Sequence, residues 1–360
     1  MAPANEMTRV LAIGDAFVPA DVFREALQGL ERADVRVTQI DDLFPVPLDE
    51  PTRISEYVGS PADVASVLGD AELLLVHAAP VTAAVLDAGP SLRVVGCARG
   101  GPVNVDVDAA TERGLTVVRA PGRNVEAVAE LTLLLMIALA RKVRAAMDSV
   151  QESQLGASVI EGAPYLGREL GGRTLGVVGC GRVGTRVIEF ARALGMTIVA
   201  YDPHVPDETI RAAGASPVPF DELLGRADVV SLHARATPDT ENMFGAEQFA
   251  SMREDALFVN AARETLVDEA ALLGTLEAGR LGGAALDVMR PRSGGSRSPL
   301  LERPDTIVLP HIGGATREAG LNGVRILVDA VIQLRQGKSP VACLANHPPP
   351  VPANRAEAQP

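Results

Sequence analysis

Residues 174–187 read Thr-Leu-Gly-Val-Val-Gly-Cys-Gly-Arg-Val-Gly-Thr-Arg-Val. An apolar run of strand length, 174–178, enters three glycines at 179, 181 and 184 and leaves as the start of a helix. In such a strand–turn–helix, Gly179 permits the tight turn and Gly181 lets backbone approach a pyrophosphate. Gly184 lets the helix pack closely on the strand. The helix start offers free N–H groups and a partial positive charge to a diphosphate. A glycine triplet alone is a weak signal, and its context strengthens it. Eighteen residues past Gly184, Asp202 ends the next apolar run in Val-Ala-Tyr-Asp-Pro. A carboxylate there accepts hydrogen bonds from an adenosine ribose and repels a 2′-phosphate, which favours NAD over NADP. The plainer role for Asp202 is a turn cap before Pro203. Cys180 reads as a small apolar filler.

Outward from this loop the same rhythm continues. Strands fit Thr174–Val178, Thr197–Tyr201, Val229–His233, Ala256–Val259, Gly283–Asp287 and Thr306–Leu309. An earlier series fits Val10–Ile13, Val35–Ile40, Leu73–His77, Arg93–Cys97 and Leu115–Val118, with helices near 21–30, 61–69, 81–88 and 105–113. Strands separated by helices of this size imply parallel sheets covered on both faces. Between the two series, 124–142 is a helix too apolar for one buried face, so it is expected to pack at an interface. Helical periodicity returns over 316–336. The Pro-rich tail from Asn346 reads as disordered.

Composition narrows the function classes. The 360 residues suffice for two domains. A net charge of −13 and only 3% aromatic residues oppose a nucleic-acid surface, which needs concentrated cations and stacking platforms. Three widely spaced cysteines form neither a disulfide framework nor a metal-ligand pattern, and no metal is expected. The N-terminus lacks a basic segment leading into an apolar run, and the uncharged run 131–140 is too short to span a membrane. A soluble, reducing, cytoplasmic setting is expected.

Three further segments complete a pattern: Val259-Asn-Ala-Ala-Arg-Glu-Thr-Leu-Val-Asp-Glu, Gly283-Ala-Ala-Leu-Asp-Val and Leu309-Pro-His-Ile-Gly-Gly-Ala-Thr. With the glycine loop, the chain resembles the D-isomer-specific 2-hydroxyacid dehydrogenase family in its phosphoglycerate-dehydrogenase-like branch, over roughly residues 70–340. The resemblance implies an α/β protein of two doubly wound parallel-sheet domains. One is a NAD-binding Rossmann domain, 121–316, and the other a discontinuous flavodoxin-like substrate domain, 1–120 plus 317–345, followed by the tail 346–360. It implies Gly179, Gly181, Arg182, Val183, Gly184, Asp202, Ala261, Ala262, Asp287 and Gly313 around NAD, with Asp287 beside the nicotinamide amide. It also implies a homodimer and a small-molecule 2-hydroxy or 2-keto acid as substrate, with a sugar acid among the candidates.

The resemblance makes Arg263 the clamp on substrate carboxylate and carbonyl and His311 the acid/base. Hydride transfer leaves charge on a carbonyl oxygen, which a guanidinium stabilises, and a group titrating near neutrality exchanges the hydroxyl proton. His233 is expected to close its strand; His204 and His347 are expected to be exposed.

Two departures stand out. Five residues after Asp287, where the family places a Glu paired with the His, stands Arg292. His311 is then left without its carboxylate, and keto-acid reduction is expected to decline as pH rises past neutrality. Glu264, next to Arg263, is the alternative partner. The second departure is Leu92-Arg-Val-Val-Gly-Cys-Ala-Arg-Gly-Gly-Pro-Val-Asn-Val-Asp, which resembles a family loop whose N–H groups hold the substrate carboxylate. Gly101 and Asn104 match, Cys97 replaces an Arg and Arg99 a Gly. Arg99, Gly100 and Gly101 are thus the substrate-binding candidates. No Lys or Arg lies between Arg53 and Arg93, where phosphoglycerate-type enzymes carry a phosphate-binding cation, so a second anionic group falls to Arg99 or to the Arg290–Arg297 loop. The competing class is a NAD-sensing regulator with little turnover, resembling the C-terminal-binding corepressors.

Overall fold

Residues 7–48, 53–153, 163–290 and 297–347 are described by the computed structural model. The chain divides into two compact units, Met1–Asn124 with Ala315–Pro360, and Val125–Gly314.

In the first unit, side chains that alternate along each strand feed two separate cores. Leu11 and Ile13 of β1 (Thr8–Gly14) and Leu74 and Val76 of β3 (Leu73–Val76) join one buried cluster. Their neighbours Val10, Ala12, Leu73 and Leu75 join the other. That period of two requires helices on both faces. With β2 (Ala33–Gln39), β4 (Val94–Cys97) and β5 (Thr116–Arg119) the strands form a parallel sheet in the order β2-β1-β3-β4-β5. The covering helices are α1 (Ala20–Leu27), α2 (Pro61–Leu68), α3 (Ala83–Ala88) and α4 (Val107–Glu112). Helices α2 to α4 begin on Ser60, Thr82 and Asp106, whose side chains accept the first-turn amides.

The second unit opens with α5 (Val125–Ala140) and α6 (Val143–Ser153). Its parallel sheet has the order β12-β11-β10-β9-β6-β7-β8. The strands are β6 (Thr174–Val178), β7 (Thr197–Tyr201), the short edge β8 (Ser216–Pro217), β9 (Val229–Leu232), β10 (Ala256–Asn260), β11 (Leu281–Leu286) and β12 (Thr306–Val308). Helices α7 (Arg182–Ala193), α8 (Asp207–Ala212), α9 (Phe220–Arg226), α10 (Ala246–Ser251) and α11 (Glu269–Glu277) connect them. Leu257 and Val259 of β10 face one core while Ala256 and Phe258 face the other. Helix α5 buries Val128, Ala129, Leu135, Met136 and Leu139, yet leaves Leu134 58% exposed.

Helix α12 (Arg317–Arg335) belongs to the first unit, where Val324, Leu327 and Val331 share a core with Val10 and Leu75. Strand β8 carries no sequence signal, since two residues ending in proline have no periodicity to read. The expected disordered tail needs one correction at its start. Asn346 is buried and accepts from Val117 N at 2.8 Å while donating to Leu115 O and Thr111 Oγ1. Residues 348–360 lie outside the described residues.

Candidate functional site

The glycine loop of the second unit is shaped by what a side chain would strike. Gly179 adopts φ +95°, and a Cβ there would lie 2.6 Å from Ala234 N. One on Gly184 would collide with the Gly179 carbonyl oxygen. At Gly181 a Cβ would meet no atom within 4 Å, so open space lies before the start of α7. Gly181 caps that helix without a side chain. The exposed Arg182, half-buried Val183 and buried Gly184 therefore present first-turn N–H groups to whatever enters. These features fit a dinucleotide pyrophosphate.

Asp202 follows β7 and accepts from Cys180 N at 2.7 Å and His204 N at 2.9 Å. It is a turn cap whose carboxylate oxygens each retain a second lone pair. It also tightens the glycine loop. Burial, reinforced by Asp202, pushes the Cys180 thiol up to about 12, so it is an inert filler. His233 closes β9 with Nε2 2.8 Å from Ser231 Oγ, and burial pulls its pKa down to about 4.

At the other end of the unit, a second aspartate holds the His311 loop. Asp287 is buried at the end of β11. Its carboxylate accepts from Ile312 N and Gly313 N, each at 2.8 Å, and its carbonyl accepts from His311 N at 2.8 Å. A Cβ at Gly313 would lie 2.7 Å from that carboxylate. The clasp holds His311 at φ +58°, a left-handed conformation uncommon outside glycine. Asp287 therefore acts first as the fastener of the His311 turn, because each of its carboxylate oxygens accepts one of that turn's backbone amides. The ring of His311 is presented outward, and no carboxylate pairs with it among the described residues. Glu264 makes no such pair, and Arg292 lies outside the described residues together with 291–296.

Arg263 is held by a residue the sequence did not single out. Asn260, buried at the end of β10, accepts from Ala262 N at 3.0 Å and donates to Arg263 O at 2.9 Å. This side-chain turn fixes the backbone of Ala261, Ala262 and Arg263 and leaves the Arg263 side chain exposed. Arg290 is committed elsewhere, to Asn242 Oδ1 at 2.7 Å and Thr265 O at 3.1 Å.

In the first unit, the loop after β4 offers Gly100 and Gly101. A Cβ on Gly101 would meet nothing within 4 Å, and the N–H groups of both find no acceptor among the described residues. Arg99 already has a partner in its own unit. Its guanidinium is tied to the Glu56 carboxylate and to Glu56 O at 2.8 Å, so its charge is already balanced. Cys97 is buried with Sγ 3.3 Å from Asn104 Oδ1, and burial pushes the thiol up to about 11.

Sequence reasoning missed a cluster just past the ends of β1, β3 and β5: the buried Asp15 and His77 and the half-buried Arg123. No spacing announces it, because its members are 62 and 46 residues apart. The one available hint was a histidine at the end of an apolar strand.

Among the described residues no helix is long and apolar enough to cross a membrane. None of their His, Cys, Asp and Glu side chains cluster as a metal site.

Residues 133–313 match the NAD-binding domain of the D-isomer specific 2-hydroxyacid dehydrogenases. The chain is 40% identical over 257 residues to D-3-phosphoglycerate dehydrogenase of Archaeoglobus fulgidus, covering 71% of this chain and 48% of that protein. It is 35% identical over 303 residues to the Bacillus subtilis D-3-phosphoglycerate dehydrogenase, covering 84% and 56%. The chain thus spans about half the length of the curated relatives it matches. A glyoxylate reductase from Paecilomyes thermophila superposes with a TM-score of 0.71 at 27% identity, covering 94% of this chain and 98% of the other. The glycine loop, the aspartate that braces it and these matches together make the second unit a NAD-binding domain, and the chain belongs to the D-isomer specific 2-hydroxyacid dehydrogenase family.

Proposed function

We propose that this protein transfers a hydride between NAD(H) and a small 2-hydroxy or 2-keto acid. The observation that carries the reading is the Asp287 clasp, which spends a buried carboxylate and a strained backbone to present one histidine. Bound NAD supplies or accepts the hydride. His311 gives a proton to the substrate oxygen during reduction and takes it back during oxidation, as an exposed imidazole on a fixed turn can do. Arg263 stabilises the charge on that oxygen and grips the adjoining carboxylate, its backbone set by Asn260. Gly179, Gly181, Arg182, Val183 and Gly184 hold the pyrophosphate and Asp202 the adenosine ribose; Ala261, Ala262, Asp287 and Gly313 lie on the nicotinamide side. Within the first unit, the free N–H groups of Gly100 and Gly101 suit a substrate carboxylate.

A cytoplasmic homodimer is proposed, with the exposed Leu134 and Ile137 of α5 in the pairing surface. A second reading is favoured by the absence of a carboxylate beside His311 among the described residues: a NAD-sensing regulator with little turnover. NADH and NADPH oxidation against a panel of 2-keto acids separates the two. The dehydrogenase reading expects NADH oxidation with at least one acid and a clear preference over NADPH. NADH binding without turnover on any acid supports the regulator, and equal use of NADPH contradicts the role of Asp202.

A further inference from the structure

The order β2-β1-β3-β4-β5 reverses direction between β1 and β3, and in open parallel sheets ligands bind outside the strand ends at that point. Asp15 follows β1 and His77 follows β3, so the two flank the reversal. Asp15 is fully buried and accepts from Phe17 N at 2.8 Å, Val18 N at 3.0 Å and Ala78 N at 2.8 Å. Its Oδ2 also lies 3.0 Å from His77 Nδ1. On the far side of the ring, His77 Nε2 lies 3.3 Å from Arg123 Nη2. A guanidinium only donates, so Nε2 accepts and the ring proton sits on Nδ1, donated to Asp15. The imidazole is neutral. Burial pulls its pKa down, against the pull of Asp15, and Arg123 and Arg99 add to the lowering.

Arg123 is the unexplained member of this chain of contacts. It is a half-buried cation whose one hydrogen-bond partner among the described residues is a neutral ring. Burial and Arg99 both disfavour its charge, yet a guanidinium stays protonated. Arg99 is neutralised by Glu56, whereas Arg123 faces no carboxylate within ion-pair distance among the described residues. Its stem passes α12 only because residue 323 is glycine: a Cβ there would lie 2.9 Å from Arg123 Cδ and 2.8 Å from Ala98 O. That same contact places the stem beside the loop that carries Gly100 and Gly101. A relay that spends a buried carboxylate to orient a ring, and a ring to orient an unbalanced cation, has no purpose in packing alone.

We infer that Arg123, positioned by Asp15 and His77, is the binding residue for a second anionic group on the substrate, a carboxylate or phosphate beyond the 2-oxo acid. This rests on the dehydrogenase reading for the identity of the first group. The substrate class is then a doubly anionic 2-oxo or 2-hydroxy acid. His77 is a positioning residue and Arg123 the contact.

The test is calorimetric titration of the NAD⁺-loaded protein, which binds oxo acids without turnover. The probes are pyruvate, 2-oxoglutarate and 3-phosphonooxypyruvate. The parent should bind one of the doubly anionic probes at least about tenfold more tightly than pyruvate, as a charge-assisted contact contributes. Whichever binds tighter identifies carboxylate or phosphate. Arg123→Met should erase that margin and leave pyruvate affinity within about twofold. His77→Gln, which keeps an acceptor for Arg123, should retain most of the margin, and His77→Phe should lose it. Equal affinity for all three probes in the parent overturns the inference, as does a loss in Arg123→Met that is the same for pyruvate. NADH oxidation on the same acids separates the two claims: an intact affinity pattern without turnover removes the dehydrogenase and leaves the anion site.

Discussion

Each unit ends an interior strand on a buried aspartate that governs a histidine, and the two do it in opposite ways. Asp287 uses its carboxylate on the amides of Ile312 and Gly313 and touches His311 only through backbone. The ring is left outward, free to meet substrate. Asp15 also collects backbone amides, but it engages the ring of His77 directly and buries it. A histidine that must exchange protons with a ligand needs a fixed backbone and an open ring. One that must aim another side chain needs its tautomer locked at both nitrogens. The contrast supports the proposed proton transfer by His311 and the inferred orienting role of His77.

The comparison breaks most visibly if the aspartates are removed. Asp15→Ala strands three backbone amides and a ring N–H, and Asp287→Ala strands two amides. Charge-assisted bonds of this kind contribute about 1.5–3 kcal/mol each, so both variants should lose several kcal/mol in urea unfolding of the apo protein, Asp15→Ala the more. Equal stability of parent and Asp287→Ala contradicts the clasp. A smaller effect sharpens the contrast with His233, which serves neither role. Its folded pKa, about 4, lies below the unfolded value, so the unfolded state binds the proton first as pH falls. The neutral ring's contribution is complete above about pH 6.5 and is lost on acidification towards 4. Stability should fall by on the order of 2 kcal/mol over that window, and His233→Phe should flatten this part of the profile. An unchanged slope in the variant assigns the acid sensitivity elsewhere.

How much of this was legible in the sequence follows from the range of the interactions. Short apolar runs such as 73–76 and 256–259 and the glycine loop are local, so strands, parallel sheets and the cofactor loop could be read directly. Asp202 was legible because a strand end fixes its distance from the loop. The Asp287 carboxylate was legible as a motif residue, but its bonds to residues 312 and 313 were not, since they depend on β11 and the loop after β12 lying side by side. The charge of Arg99 was visible in the sequence, whereas its Glu56 partner, 43 residues away, was not. The relay from Asp15 to Arg123 joins three strand ends and escapes any linear reading.

Central to the whole account is the division of labour between the two histidines, and His311→Ala tests it most directly. With NADH and the best 2-keto acid of the panel, the variant should lose about a hundredfold to ten-thousandfold in kcat, the usual contribution of a positioned general acid. NADH affinity, measured by fluorescence titration of the same preparation, should stay within about threefold, because the glycine loop and Asp202 are untouched. Parent-like turnover in His311→Ala contradicts the account.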